Sequence, residues 1–208
     1  MFYAFLRNLV AFLLYAVNGR PEVHNLDKLP NKEENYILVA PHRTLWDPVY
    51  LAFLARPKQF IFMAKKELFK NKIFAWWIKK CGAFPVDREN PGPSALKIPI
   101  KELKEGNKSL IMFPSGTRHS DELKGGVVAI AKLSKARIIP AVYQGPLTFK
   151  DLFKRKKVKM NFGDPIDMSD IKRANAEGID IVTKRIDEAF KSLDYDLDPN
   201  YKYIPIKK

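Results

Sequence analysis

The chain predicts an α/β fold: a single domain with a mixed, mostly parallel central sheet flanked by helices, with an N-terminal helix lying in a membrane interface. Three observations carry this expectation. Short apolar, β-branched runs alternate with helix-like stretches, the order that layers helices on a sheet. The 208 residues are 46% hydrophobic, enough for one self-sufficient core, and no linker or repeat divides them. Residues 1–17 are nearly all apolar yet shorter than the roughly 20 residues a membrane span needs.

In chain order, the first element is that apolar segment. Arg7 and Asn8 interrupt it, while Leu9 to Val17 is unbroken. A charge at mid-membrane costs roughly 2.5–3.5 kcal/mol, which argues against a span. Neither a basic start nor a clear small-residue cleavage site marks a signal peptide. Phe2, Tyr3, Phe5, Phe12 and Tyr15 make it aromatic-rich, so residues 1–18 read as a membrane-associating helix. A helix packed on the protein's own core is the alternative, and a single span a second one.

Residues 19–208 form the folded domain. Its strands are expected at Tyr36–Ala40, Phe60–Ala64, Phe84–Asp87, Leu110–Phe113, Ile138–Tyr143 and Val158–Phe162. Helices are expected at Pro48–Ala55, Lys66–Lys79, Ser94–Lys104 and Gly126–Lys135. Pro99 implies that the third is kinked or begins later. Ile179, Val182, Ile186, Phe190 and Leu193 recur at helical spacing and give a last helix one apolar face. The tail after Leu193 reads as irregular.

Composition narrows the function. A formal net charge of +14 draws the protein to polyanions: nucleic acid, an anionic membrane, or an acidic carrier protein. No RNP motif, zinc knuckle or helix-turn-helix supports nucleic acid. One cysteine, Cys81, excludes an intramolecular disulfide, and three scattered histidines give no zinc spacing. No Walker-type glycine loop suggests a nucleoside triphosphate.

His42 follows the strand Tyr36–Ala40, where α/β proteins place ligands and chemistry. A neutral imidazole there suits removal of a proton from an attacking hydroxyl. A carboxylate on its other ring nitrogen would fix the tautomer, and Asp47 is the nearest candidate. Five residues apart, the two fit one helix face poorly, but they meet if His42 lies in the loop and Asp47 at the helix start. The plainer alternative makes Asp47 a helix N-cap before Pro48 and His42 an idle loop residue.

Two arginines end apolar runs. Arg88 closes Phe84–Asp87, and Arg118 follows Leu110–Phe113 through the turn Pro114-Ser115-Gly116-Thr117. Gly116 frees the backbone to approach a ligand, Thr117 offers a hydroxyl, and Arg118 offers a planar fork for phosphate oxygens. Surface arginines paired with nearby acids are the alternative. Between Arg56 and Lys80 lie eight Lys or Arg and one acid, Glu67, interleaved with Phe60, Phe62, Phe69, Phe74, Trp76 and Trp77. That mixture suits a lipid headgroup layer or an acidic acyl carrier protein, or else a solvated face over a core helix.

The blocks PHRTLWDPVY, GAFPVDR, FPSGTR and IPAVYQG, in this order, resemble the four motifs of the PlsC-type 1-acyl-sn-glycerol-3-phosphate (lysophosphatidic acid) acyltransferases, over roughly residues 35–146. The helix opening at Gly125-Gly126 and running through Ala131 also resembles the family. The resemblance implies acyl transfer from acyl-CoA or acyl carrier protein to the sn-2 hydroxyl of lysophosphatidic acid, with no metal or other cofactor. It implies that His42 is the base and Asp47 its orienting acid. Arg88 and Arg118 would bind the acceptor phosphate beside Gly116 and Thr117, and Pro140 would line the acyl or acceptor pocket. The third motif departs from the usual F-P-E-G-T-R, with Ser115 where glutamate is expected, which bears on acceptor preference. The expected location is the cytoplasmic face of the cell membrane, peripheral or monotopic. Another lysophospholipid acceptor, or a non-catalytic basic membrane-binding module, are the alternatives.

Overall fold

In a computed structural model the described residues are 2–87, 90–115, 123 and 125–204. The chain begins with α1 (Phe2–Asn18), β1 (Glu22–His24), β2 (Tyr36–Val39), α2 (Asp47–Leu54) and β3 (Gln59–Lys65). It continues with α3 (Lys72–Lys80), β4 (Ala83–Val86), α4 (Ser94–Glu105) and β5 (Lys108–Met112). The last elements are α5 (Gly126–Ser134), β6 (Arg137–Gln144), α6 (Phe149–Phe153), β7 (Lys159–Phe162) and α7 (Ala176–Leu197).

Among the described residues seven strands form one sheet, in the order β1-β7-β6-β2-β5-β3-β4. All neighbours are parallel except β6 and β7, which are antiparallel. The mixed, mostly parallel α/β sheet expected from the sequence is therefore present. β2, at its centre, is buried along its whole length, as a strand covered on both faces must be. Successive side chains serve opposite layers: Tyr36 and Leu38 enter one core with α1 and α2, Ile37 and Val39 the other with α4, α5 and α7.

The layering positions the site. β2 and β5 are adjacent, but the chain leaves β2 into α2 on one face and leaves β5 toward α5 on the other. This divergence opens a crevice at the carboxyl ends of the two strands, the switch point where α/β sheets bind ligands.

Several local expectations change. β1 was not foreseen; its three residues are too few to show a pattern. The single helix expected over Lys66–Lys79 is two pieces, a 3-10 turn at Lys66–Phe69 and then α3. Asn71 causes the break, since its side chain accepts hydrogen bonds from the Ile73 and Phe74 N–H groups and caps a new helix. Helix α4 starts at Ser94 and runs through the buried Pro99. Between α3 and β4, Gly82 takes φ +88°, and a Cβ there would collide with the main-chain oxygen of Phe60. Helix α7 continues past Leu193 to Leu197; the described tail behind it, 198–204, is irregular as expected and docks Tyr201 and Tyr203 on Arg43.

Helix α1 packs one face on the protein's own core, the alternative its sequence left open. Ala11 is buried, and Leu14, Tyr15 and Val17 pack against the α2 side of the core, with Tyr15 edge-to-face on Phe53 at 5.2 Å. Asn18 donates to Lys156 O at 2.8 Å. The opposite face leaves Phe5, Leu9, Phe12 and Leu13 exposed. Among the described residues no helix is long and apolar enough to cross a membrane.

Candidate active site

The loop between β2 and α2 is built around one buried carboxylate. Asp47 is the first residue of α2 and Trp46 the cap, so Asp47 does not cap its own helix as the N-cap reading would have it. Its side chain is fully buried and turns back to the loop. Oδ2 accepts from the Arg43 N–H at 2.6 Å and the Thr44 N–H at 2.9 Å. The same oxygen lies 3.2 Å from His42 Nδ1. With two main-chain donors already fixed on Oδ2, the network assigns the imidazole proton to Nδ1, donating to Asp47. Nε2 then carries the free lone pair.

The His42 ring is held from the side as well. It stacks on Phe113 with centroids 4.3 Å apart and planes 28° apart. Phe113 follows β5, so this contact joins the two strand ends across the switch point. The His42 side chain is 14% exposed and lines a largely apolar cavity of about 1060 Å³. That is just above the roughly 300–1,000 Å³ usual for small-molecule sites. Its wall takes Leu6, Arg7 and Val10 from α1, Leu45 from the loop after β2, Pro48 and Val49 from the start of α2, Phe62 and Met63 from β3, and Ile78 and Cys81 from α3 and its end. Arg7, which interrupts the apolar run of α1, donates to Lys58 O at 3.1 Å. Burial pushes the Cys81 thiol up from its ordinary pKa.

The remaining residues singled out from sequence distribute unevenly. Arg88, Gly116, Thr117 and Arg118 lie outside the described residues. Their chain neighbours Asp87 and Pro114 line the cavity, and Ser115 is buried. Asp87 also pairs with Lys66. Pro140 sits within β6 opposite Val39, with Gly163 packed on its ring, and is not among the cavity-lining residues. The fourth motif runs along an interior strand, which carries its proline into the sheet rather than to the crevice.

A second cluster was not legible in the sequence. The Arg43 guanidinium points away from the cavity and donates through Nη1 to Tyr143 O at 2.7 Å and to Asp194 Oδ1 at 2.8 Å. Nη2 donates to Asp194 Oδ2. Gln144 donates to the same carboxylate at 3.0 Å, and the rings of Tyr201 and Tyr203 lie 5.1 and 5.5 Å from Arg43 Cζ. Burial would lower the Arg43 pKa, but the hydrogen bonds and charge of Asp194 outweigh it, and the pKa is raised. Nearby, Trp46 Nε1 donates to Pro146 O at 2.9 Å and to Tyr143 Oη at 3.1 Å, pinning the other end of the loop. No local pattern announces Arg43–Asp194, whose partners are 151 residues apart.

A family described as Acyltransferase matches residues 20–144, from β1 to the end of β6. A 1-acyl-sn-glycerol-3-phosphate acyltransferase of Streptococcus pneumoniae is 62% identical over 194 residues, covering 93% of this chain and 74% of the relative. The enzyme of that name from Bacillus subtilis is 41% identical over 199 residues, 94% of this chain and 98% of the relative. The crystal structure of the 1-acyl-sn-glycerophosphate acyltransferase PlsC from Thermotoga maritima superposes with a TM-score of 0.64 at 21% identity, covering 94% of this chain and 83% of that one, a likeness of fold. With its matched segment carrying the His42–Asp47 loop and the switch-point strands, this chain belongs to the acyltransferase family and is an enzyme of the PlsC-type 1-acyl-sn-glycerol-3-phosphate acyltransferase group.

Proposed function

We propose that the protein transfers a fatty acyl group from a thioester, acyl-CoA or acyl carrier protein, to the sn-2 hydroxyl of lysophosphatidic acid, giving phosphatidic acid. The observation that carries this reading is the position of His42: Nδ1 held by buried Asp47, with the ring in the wall of a large apolar cavity. The acceptor oxygen attacks the thioester carbonyl carbon as its proton passes to His42 Nε2. Collapse of the tetrahedral adduct breaks the C–S bond, and the proton moves on to the departing thiolate. Ester and free thiol are the products, with no acyl-enzyme, metal or other cofactor in the sequence of steps. Asp47 stabilises the transient imidazolium and holds its tautomer. The cavity takes the acyl chain. Arg88 and Arg118, with Gly116 and Thr117, take the acceptor phosphate. The names of the relatives favour lysophosphatidic acid over other lysophospholipids.

The same reading places the enzyme on the cytoplasmic face of the cell membrane. Helix α3 exposes Ile73, Phe74, Trp76 and Trp77 among Lys72, Lys79 and Lys80, and α1 exposes Phe5, Leu9, Phe12 and Leu13. Both helices contribute to the cavity wall, so an anionic lipid surface touching them would present acyl chains at its rim. The deciding experiment supplies purified protein with lysophosphatidic acid and acyl-CoA or acyl carrier protein in turn, and identifies the product lipid by mass. Phosphatidic acid formed with one of these donors supports the proposal. Acyl transfer only to a lysophospholipid with a larger headgroup, or no acyl transfer at all, contradicts it.

A further inference from the structure

We propose that Arg43 and Asp194 are positioning residues through which the C-terminal segment of the chain holds the catalytic loop in register. The inference rests on the reading of His42 as general base. Arg43 faces two ways. Its main-chain N–H is one of the donors that fix Asp47 Oδ2, the oxygen that also meets His42. Its side chain is clamped to the end of β6 by Tyr143 O and to α7 by the Asp194 carboxylate. Residue 43 is 7% exposed and the Asp194 side chain 18%, so a buried charge meets a half-buried partner.

Stability alone is a weak reason for such a pair, because well-packed apolar residues of similar volume often serve as well or better. What the pair adds is direction. A guanidinium is a rigid planar fork, and its acceptors here come from two separate elements. They fix where the backbone at residue 43 sits, and with it the donor to Asp47. Gln144 keeps the Asp194 carboxylate from rotating. Tyr201, beyond the end of α7, covers the guanidinium, and its own hydroxyl has no hydrogen-bond partner among the described residues. Its ring, not its hydroxyl, is therefore the functional part. The chain from α7 to Tyr203 thus closes over the back of the loop whose front carries His42. A small shift of a catalytic group is enough to slow turnover without touching the substrate.

The test compares Tyr201→Ala, Tyr201→Phe and Asp194→Asn with wild type, each made alone and in a His42→Ala background. Circular dichroism and thermal melting select the folded variants; Tyr201→Ala leaves the Arg43–Asp194 pair in place and decides the matter if Asp194→Asn does not fold. Tyr201→Ala is expected to lower kcat by about three- to tenfold with both KM values unchanged, because a cation–ring contact of ordinary strength is lost. Tyr201→Phe should restore kcat to within about twofold of wild type, since it keeps the ring face. Folded Asp194→Asn should lose about tenfold or more in kcat, the scale of a misplaced catalytic group. Without His42 these substitutions should cause no further loss, because groups acting as one unit are not additive. Wild-type kcat in folded Tyr201→Ala, a loss confined to KM, or the same loss in the His42→Ala background overturns the proposal. A fully active His42→Ala parent would instead overturn the general-base reading, so the two failures are distinct.

Discussion

His42 Nδ1 and Asp47 Oδ2 lie 3.2 Å apart, and that oxygen is fixed from two other directions by the N–H groups of Arg43 and Thr44. The carboxylate is therefore not free to follow the imidazole. The loop sets the acid, the acid sets the tautomer, and Phe113 sets the plane of the ring. Such an arrangement suits a base that must present one nitrogen to a substrate entering from the cavity.

Asp47→Asn tests this order of causes. The substituted amide can accept the loop N–H groups through its oxygen, so the fold should survive with a modest fall in Tm. That same oxygen faces His42 and can keep its tautomer, but the negative charge that stabilises the imidazolium is gone, and kcat should fall by at least ~10²-fold. Steady-state kinetics beside a thermal melt checks it; a kcat near that of wild type in the folded variant contradicts it.

Much of this was legible because it is local or periodic. The alternation of β2, β3, β5 and β6 with α2, α4 and α5 follows from hydrophobic pattern, and the His42–Asp47 pair from a five-residue spacing next to a strand end. What escaped the sequence depends on partners distant along the chain. The inner face of α1 has meaning only once α2 and β7 are in place, and Arg43 only once α7 has folded back to offer Asp194. Asn71 splitting the expected helix before α3 is the exception, a local cap that a long basic aromatic run obscured.

Arg118→Ala should raise the acceptor KM more than the donor KM, with Arg88→Ala acting in the same direction. Arginine can make two parallel charge-assisted bonds to phosphate, and loss of one such anchor typically costs about 1.5–3 kcal/mol of binding. Kinetics with lysophosphatidic acid and acyl donor varied separately checks this. Equal losses on both substrates would indicate general damage instead.

Cys81, the single cysteine, reports on the cavity. Burial raises its pKa, so less of it is the reactive thiolate at neutral pH, and alkylation should gain speed only above the pH range of an ordinary thiol. A long-chain acyl ligand filling the cavity should slow labelling by iodoacetamide severalfold, read by intact-protein mass against time. Labelling at the same rate with and without such a ligand would place the acyl chain elsewhere.

The two faces of α1 predict different outcomes for two alterations. Replacing the exposed Phe5 and Phe12, or Trp76 and Trp77 on α3, by serine should weaken binding to anionic vesicles while leaving Tm and activity on a detergent-dispersed acceptor nearly unchanged. Deleting residues 1–17 should instead lower stability, because Ala11, Leu14 and Val17 leave the core. Vesicle sedimentation and thermal melting separate the two effects.

The most direct measurement of the central claim is the turnover of folded His42→Ala, assayed with lysophosphatidic acid and an acyl thioester at saturating concentrations. The loss of a positioned general base predicts a fall in kcat of at least ~10²-fold, with Tm close to that of wild type. A folded His42→Ala protein that turns over at near wild-type kcat would contradict the account.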